Sequence, residues 1–445
     1  MPRRIALILV WLALVPEVEG QIFDGKWETP LTTIGTAIFE PSAIKITLWD
    51  LAVILVLAWA LTQKGALRGR VRAVITSMWV SLGALALGWL WGVARGGDVR
   101  QTMWQLHTFV MMFVVAHLLI ATHQTYEHFR TLGRVIVFAA LYRAGVLLYF
   151  YETVVKQWAE RPQTLTTHAD SALFVGAILV LGAWALERRS QKAIAWALGA
   201  SVPICLAIYY NNRRLAWLAL LVGMGVAYLL LPPSKTKRQL NRAMLVAAPL
   251  FAIYLVLGWG KTGGIFKPVA SIATMLGKTE DASSLTRDIE NYNLLQTLKT
   301  DPILGLGFGH EYHEVNVAYS IKDEFAQYRY IPHNSVLGLL AFAGLIGFAG
   351  IWQIFVVTTF FLAREHRLAD LAIARAAALA ALVGTIVVAL QMWGDMGLVT
   401  LPVEVLAAAC VAAAARLPVL GEAWEASQDL DEDDDEEAEP IHEGG

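Results

Sequence analysis

The sequence predicts an all-α, polytopic membrane protein with about twelve transmembrane helices and one large helical loop outside the bilayer. Of its 445 residues, 57% are hydrophobic and only 16% are charged, a composition too apolar for a water-soluble domain. The apolar residues fall in runs of roughly 17–25 residues, the length that crosses a bilayer as a helix. Basic residues follow every second run, which is the charge asymmetry of multi-pass membrane proteins.

We divide the chain into four parts. Residues 1–259 carry nine predicted spans, and residues 334–417 carry three more. Residues 260–333 form a polar loop between these two parts, and residues 418–445 form an acidic tail that we expect to be disordered. The predicted spans are 5–15, 44–61, 72–93, 105–121, 134–152, 171–187, 193–210, 214–231, 244–259, 334–362, 371–393 and 401–417.

The loop charges predict the orientation. The first span is short and ends before Pro16, so it is either a retained helix or a cleaved signal peptide, and both place residue 20 outside. Five alternate loops are basic, which predicts cytoplasmic termini, an inner-membrane location and a periplasmic 260–333 loop. The basic residues are Lys64, Arg68, Arg70 and Arg72, then Arg130 and Arg134, then Arg188, Arg189 and Lys192, then Lys235, Lys237, Arg238 and Arg242, then Arg364 and Arg367.

Several function classes are not supported by the sequence. The net charge of −2 gives no indication of nucleic-acid binding. The two cysteines, Cys205 and Cys410, lie in predicted spans and indicate neither a disulfide framework nor a cysteine metal site. His310 and His313, with nearby glutamates, lack a convincing third ligand position, so we predict no metal. No nucleotide-binding or serine-hydrolase motif is present, and we expect no cofactor.

Some ionisable residues lie at the outer end or in the middle of a predicted span, where charged side chains are uncommon. Arg213 and Arg214 lie at the outer end of the eighth span, where they either contact lipid phosphate or mark a binding site. Arg143 falls near the middle of the fifth span, where a charge is costly, so a structural pair with Asp50 and a ligand role both remain open. His107, near the outer end of the fourth span, is a further secondary candidate.

The outer loop carries the strongest local signals. In "SSLTRDIENYNLLQTLKT", Arg287 belongs to a predicted amphipathic helix; its simplest alternative role is a surface salt bridge to Asp288 or Glu290. In "DPILGLGFG", glycines predict a turn whose backbone approaches another part of the chain closely. The apolar residues predicted to line one face of the helix are Leu285, Ile289, Tyr292 and Leu295.

His333 precedes Asn334 at the start of a long apolar helix, and one of the two should cap it. The positive end of the helix dipole disfavours an imidazolium ion, so we expect a neutral imidazole that is able to accept a proton. The same helix end favours anions. The simpler alternative is that His333 only caps the helix.

Together these features resemble one known family. An arginine at the outer end of a span, an "SxxxR" element, a glycine-rich turn and "HNSVLGLLAFAGLIG" are similar to the O-antigen ligase and Wzy-type polysaccharide polymerase superfamily. The resemblance is most specific over residues 205–350. The chain departs from the pattern at Phe342 or Ala343, where an acidic residue is usual before "GLIG".

The resemblance implies a GT-C-like membrane glycosyltransferase that is inverting and independent of metal. Such enzymes move a glycan from an undecaprenyl-diphosphate carrier to an acceptor hydroxyl on lipid A–core or on another glycan. The candidate diphosphate ligands are Arg213, Arg214 and Arg287, and the family's motif positions are best matched by Arg213 or Arg214 and by Arg287. The candidate catalytic residues are Arg287 and His333, with His333 as the base. Glu290 and Asp301 are reserve bases, and membrane lipids are the remaining expected partners.

Two other classes stay open at this stage. A lipid-linked glycan transporter or flippase also suits twelve spans, although such proteins usually have internal repeats and a midplane site. We find no repeat, and the candidate polar groups gather outside the bilayer. A noncatalytic assembly subunit is the third reading. The sequence does not separate a ligase from a polymerase or a protein-glycosylating enzyme.

Overall fold

The computed structural model describes residues 1–15, 37–39, 46–66, 68–159, 164–233, 235–261, 264–266, 268–270, 273, 282–317 and 326–436. All regular secondary structure in these residues is helical, which confirms the all-α prediction. The main helices are α1 (Pro2–Leu14), α2 (Leu48–Leu61), α3 (Arg72–Ala94), α4 (Val99–Thr122), α5 (Tyr126–Thr153), α6 (His168–Arg188), α7 (Gln191–Asn211), α8 (Arg214–Leu230), α9 (Lys235–Gly258), α10 (Ala282–Thr300), α11 (Ser335–Leu368), α12 (Ala372–Gly394) and α13 (Leu401–Glu436).

The fold is that of a polytopic membrane protein. Within the described residues, nine helices are long and apolar enough to cross a bilayer. The other three predicted spans are helices α1, α2 and α8, which have only 13, 14 and 17 residues. Helix α10 is the predicted helix of the outer loop. Helix α13 continues to Glu436, so part of the 418–445 tail that we expected to be disordered is helical. The first residues of that tail include alanine and glutamate, which are good helix formers.

The core of the bundle is built around α13. Its span, Leu401–Gly421, is 89% buried and is made largely of alanine, whose small side chain lets neighbouring helices approach closely. Helices α4, α11 and α12 pack against it, and α12 also packs on α6 and α8. Helix α9 lies at the periphery, and none of its most apolar stretch is buried inside the protein.

Helix α11 is broken at Gly344, whose φ of 63° and ψ of −172° are not helical. In a regular helix the amides of Leu345 and Ile346 would donate to carbonyls four residues earlier. Here they donate instead to the carbonyl oxygens of Pro302 and Ile303, at 2.9 and 3.2 Å. The glycine-rich turn of the outer loop is therefore joined to the broken helix by backbone hydrogen bonds.

The exchange is reciprocal. Leu306 and Gly307 donate to the carbonyl oxygens of Ala341 and Phe342 at 2.9 and 2.8 Å, the two acceptors that the break leaves without their usual partners. A Cβ atom on Gly305 would lie only 2.4 Å from a backbone nitrogen at the break. This contact is the close backbone approach that the glycine pattern predicted.

The predicted apolar face of α10 is exposed, and a different face of the helix is buried. Leu285, Tyr292 and Leu295 are 49%, 43% and 44% exposed. The buried face is mostly polar because its side chains bind loop backbone: Asn293 Oδ1, for example, accepts hydrogen bonds from the amides of Val315 and Asn316 at 3.1 and 3.0 Å. The buried residues of this face are Glu290, Asn293, Leu294 and Thr297.

The suggested Arg143–Asp50 pair was wrong. Arg143 binds Asp170 through two contacts, Nε to Oδ1 at 3.0 Å and Nη2 to Oδ2 at 2.6 Å, and both side chains are buried. Asp50 Oδ2 instead lies 2.8 Å from His107 Nε2. Helix α1 packs against both α2 and α5, and its end is contacted by Arg143, whose Nη1 lies 3.5 Å from the carbonyl of Val15. Helix α1 therefore separates Arg143 from Asp50, and the suggested pair does not form.

Candidate functional site

Four helix ends meet at one end of the bundle. Helix α6 begins at His168, α8 has Arg213 as its N-cap, α11 has Asn334 as its N-cap, and α12 ends in the C-cap Asp395. Helix α10 packs on α11 at this end. The basic loop residues follow the opposite ends of these helices. The candidate site therefore lies on the side that the charge pattern predicted to be outside.

The segment "NNRR" positions the first arginine. Asn211 Oδ1 accepts hydrogen bonds from the amides of Leu165 and Thr166 at 3.2 and 2.9 Å, which fixes the chain before α6. Asn212 then ends α7 in the left-handed conformation, at φ 57°, a geometry that asparagine tolerates. Arg213 is thereby placed between the starts of α6 and α8.

Arg213 lies against His168. Its Nη1 is 3.0 Å from Nδ1 and 3.4 Å from Nε2 of the imidazole, and its Nη2 donates to the carbonyl of Thr166 at 3.0 Å. His168 Nδ1 is also in hydrogen-bond contact with Asp395 Oδ2. One ring nitrogen cannot accept from arginine and donate to a carboxylate at once. We therefore assign the Nδ1 proton to the Asp395 contact and place the guanidinium over the ring.

Arg287 approaches the same carboxylate from the outer loop. Its Nη1 donates to the carbonyl of Gly394 at 3.2 Å, and its Nη2 is 3.9 Å from Asp395 Oδ2. Burial alone would raise the pKa of Asp395, but the hydrogen bond from His168 and the positive charge of Arg287 hold it below the ordinary value. Asp395 thus remains a carboxylate in contact with His168 and Arg287.

Both arginines have capacity for a further ligand. Arg213 is half-buried, and burial lowers its pKa. Its Nε has no hydrogen-bond partner among the described residues. Arg287 has a side chain that is 38% exposed. Arg213 and Arg287 both lie near the Asp395 carboxylate, and their planar forks fit the oxygens of a phosphate.

His333 is held by a carboxylate. Its backbone amide donates to Glu290 Oε2 at 3.0 Å, and its Nδ1 lies 3.3 Å from Glu290 Oε1. Glu290 is 5% exposed, whereas the imidazole is 22% exposed. With the Nδ1 proton on the carboxylate side, Nε2 is the nitrogen that accepts a proton. Asn334, rather than His333, caps α11 through Oδ1, 3.1 Å from the amide of Leu337.

The arginines and the histidine belong to one connected set of contacts. Arg287 and Glu290 stand three residues apart on α10, which places them on one face of that helix. Ser335, two residues after His333, contacts the Asp395 carbonyl through its hydroxyl at 3.4 Å. We call Arg213, His168, Asp395, Arg287, Glu290 and His333 the outer cluster.

The remaining predicted candidates lie elsewhere or carry other contacts. Arg214 is half-buried as the first residue of α8. Asp301 forms an ion pair with Arg95 at the end of α3. Arg143 and His107 are bound by the carboxylates described above. In the part of the chain that the structure describes, no three His, Cys, Asp or Glu side chains gather as a metal-binding group.

Two members of the outer cluster, His168 and Asp395, were not among the residues predicted from the sequence. Each occupies a short polar interruption at the outer end of a span, in "TTHADS" and "WGDMG". The same reasoning that singled out Arg213 applies to both. Both residues are ionisable and lie at span ends that were predicted to face outside, and this shared position could have identified them.

Comparison with known proteins supports the resemblance. Residues 199–352 match the family model described as O-antigen ligase. This segment is about a third of the chain and contains Arg213, Arg287, Glu290 and His333, whereas His168 and Asp395 lie outside it. None of the curated proteins compared with the chain matches it. The match confirms the similarity to the O-antigen ligase and polymerase superfamily that the sequence motifs indicated.

Proposed function

We propose that the protein is a membrane glycosyltransferase that moves a glycan from an undecaprenyl-diphosphate carrier to an acceptor hydroxyl. The O-antigen ligase match and the multi-pass fold support this class of protein. The observation that carries the proposal is the outer cluster, in which a carboxylate-bound imidazole and two guanidinium groups share one end of the bundle. By the positive-inside pattern, this end is the periplasmic face of the inner membrane.

Arg213 and Arg287 are the proposed diphosphate ligands, with Arg214 beside them. The leaving group of the reaction is a lipid diphosphate, on which negative charge increases as the glycosidic bond breaks. Guanidinium forks bind such oxygens with two hydrogen bonds each and stabilise that charge without a metal ion. Asp395 and His168 act as positioning residues, because they hold Arg213 and orient Arg287.

His333 is the proposed general base. The acceptor oxygen attacks the anomeric carbon, the bond from that carbon to the diphosphate oxygen breaks, and the acceptor proton passes to Nε2 of His333. A single displacement of this kind inverts the anomeric configuration. Glu290 holds the imidazole in the required tautomer and stabilises the positive charge that it acquires, as the carboxylate of a catalytic triad does.

Two acceptor classes fit the proposal. A ligase would transfer the glycan to lipid A–core, and a polymerase would transfer it to a repeat unit on another carrier. Deletion of the gene in the parent organism, followed by gel analysis of surface glycans, separates them. Accumulation of long carrier-linked chains indicates a ligase, and loss of long chains from all pools indicates a polymerase.

The direct test is transfer by the purified protein in detergent, with a carrier-linked glycan donor and an acceptor glycan. Transport needs a sealed membrane and transfer does not, so turnover in detergent excludes a transporter. His333→Ala should abolish transfer and leave carrier binding intact, because the base acts after binding. If binding and transfer fall together, His333 is a structural residue and the proposed mechanism is wrong.

A further inference from the structure

A second site lies away from the outer cluster. A cavity of about 760 Å³ is enclosed by α5, α6, α7, α12 and α13. Along α12 its lining extends from Ala372 to Val388, which corresponds to about 24 Å of helix at 1.5 Å per residue. Small side chains leave this volume unfilled where larger ones would close it. Those on α12 and α13 include Ala376, Ala380, Gly384, Ala409 and Ala413.

One end of the cavity is basic. Helix α6 begins at the outer cluster with His168 and ends at the cavity with Arg188. Helix α12 runs the other way, beginning at the cavity and ending at the outer cluster. The basic end therefore opens at the opposite end of the bundle from the proposed active site. Its three arginines are Arg130, Arg134 and Arg188.

The two glutamates of this end are already engaged. Glu127 binds Arg130 at 2.7 Å, and Glu187 binds Arg375 at 2.9 Å. The other two arginines, Arg134 and Arg188, are exposed and form no ion pair with a carboxylate in the described part of the chain. Two cations thus remain at the end of an apolar cavity.

The cavity also opens sideways toward the bilayer. Phe138 on α5 and Trp196 on α7 line it and are 65% and 66% exposed. Tryptophan prefers the region between headgroups and hydrocarbon. A lipid chain has a lateral path into the cavity between these helices.

We propose that this cavity binds an anionic phospholipid, with the phosphate between Arg134 and Arg188 and an acyl chain along the apolar wall. Basic pockets between membrane helices recognise lipid headgroups in this way. The acyl chain contributes little selectivity, because it moves from the hydrocarbon of the bilayer to the apolar wall of the cavity. The headgroup charge therefore decides which lipid binds.

The carrier lipid is a poorer occupant. If its diphosphate lay at Arg213 and Arg287, only the end of its chain would reach the opposite end of the bundle. The carrier phosphates would then lie at the other end of the bundle from Arg134 and Arg188, and these two arginines would gain no anionic partner from the carrier. A lipid whose phosphate lies at the basic end of the cavity satisfies both arginines.

The test is retention of lipid by the delipidated full-length protein in mild detergent, measured by native mass spectrometry. Phosphatidylglycerol should bind about thirtyfold more tightly than phosphatidylcholine with the same chains, since both arginines attract its net negative charge and phosphatidylcholine has none. The double change Arg134→Gln with Arg188→Gln should remove this preference. Arg364→Gln is the matched control, because Arg364 is exposed on α11 and does not line the cavity.

A second variant tests the cavity itself. Ala380→Trp fills it, so both phospholipids should be lost although the arginines remain; Ala377→Leu replaces it if that protein does not fold. Glycerol phosphate, which lacks acyl chains, should not bind. Equal retention of the two phospholipids by the unaltered protein overturns the proposal. So does a preference that survives the double arginine change, or retention of undecaprenyl phosphate alone. None of these readouts depends on glycan transfer.

Discussion

Glu290 contacts His333 twice across 43 residues of sequence, through the backbone amide at 3.0 Å and through Nδ1 at 3.3 Å. The first contact fixes where the chain turns into α11. The second fixes which ring nitrogen carries a proton. One buried carboxylate on α10 therefore sets both the position and the tautomer of the imidazole, and a change at Glu290 should affect catalysis without removing the base.

Glu290→Gln should lower the transfer rate by about 10²–10⁴-fold, the range for an impaired general base. The amide is able to donate a hydrogen bond to Nδ1, which would place the imidazole proton on Nε2, where it prevents proton uptake. Carrier binding should stay within about twofold of the unaltered protein. The measurement is the turnover number in detergent beside carrier affinity.

Glu314→Gln is the control for this prediction. Glu314 accepts hydrogen bonds from the Tyr328 hydroxyl at 3.0–3.1 Å in the same outer loop, outside the outer cluster. Its transfer rate should be nearly unchanged. Equal losses in the two variants would indicate that Glu290 only holds the loop together.

Much of the fold was accessible from the sequence. Each predicted span corresponds to a helix, because a bilayer requires long apolar helices and little else is compatible with it. The outer-loop helix was also predicted. The family resemblance pointed to Arg213 or Arg214, to Arg287 and to His333. In the structure Arg213, Arg287 and His333 belong to one connected set, the outer cluster, which does not include Arg214.

Partners distant in sequence were not accessible. Asp50 was suggested as the partner of Arg143, whereas the partner in the structure is Asp170. The sequence does not reveal which helix lies between two charged residues. The buried face of α10 is mostly polar, and polar side chains in a sequence usually indicate a face in contact with solvent. Here side chains such as Asn293 are buried because they bind loop backbone. Glycines predicted a close approach in the outer loop, but hydropathy gave no indication that the partner is a broken helix.

Arg287→Lys should reduce transfer by about 10²-fold or more, even though the charge is retained. An ammonium ion is a point donor and cannot reach Gly394, Asp395 and a phosphate oxygen with one rigid fork. The measurement is the transfer rate at saturating donor. Transfer within about threefold of the unaltered protein would show that Arg287 acts only through its charge.

The matched substitution is Arg95→Lys. Arg95 forms an exposed ion pair with Asp301 at the same end of the bundle. Exposed pairs of this kind contribute up to about 1 kcal/mol, and lysine serves as well as arginine. Transfer should therefore be unaffected by this change.

A pH-dependent loss of stability is expected from His123. The side chain is fully buried, its Nδ1 lies 3.0 Å from the Thr122 hydroxyl, and burial, reinforced by the positive charges of His128 and Arg3, lowers its pKa to about 3. In the unfolded chain the pKa is about 6.5. Between these values only the unfolded state binds the proton, so the free energy of unfolding falls by about 1 kcal/mol per unit as pH decreases below 6.5.

His123→Gln should flatten this dependence. The measurement is the thermal unfolding midpoint of the purified protein at pH 7.5, 6.5 and 5.5, compared as a slope rather than as an absolute value. His313→Gln, at an exposed loop position, should keep the slope of the unaltered protein. Equal slopes in all three proteins would show that His123 is not buried as a neutral ring.

The junction between the outer loop and α11 depends on the absence of a side chain at Gly344. Its backbone lies in a region that only glycine occupies readily, and a Cβ atom there would lie 2.4 Å from both the amide nitrogen of Gly305 and the carbonyl oxygen of Ile303. All of these atoms belong to backbone, so no side chain is available to move aside. Gly344→Ala should therefore destabilise the protein by at least about 2 kcal/mol.

Gly83→Ala provides the contrast, since Gly83 lies within α3 with no atom near its Cβ position, and alanine there should stabilise the helix by up to about 1 kcal/mol. Thermal unfolding in detergent should thus shift in opposite directions for the two substitutions, and a Gly344→Ala protein as stable as the parent would mean that the loop does not join the broken helix as described.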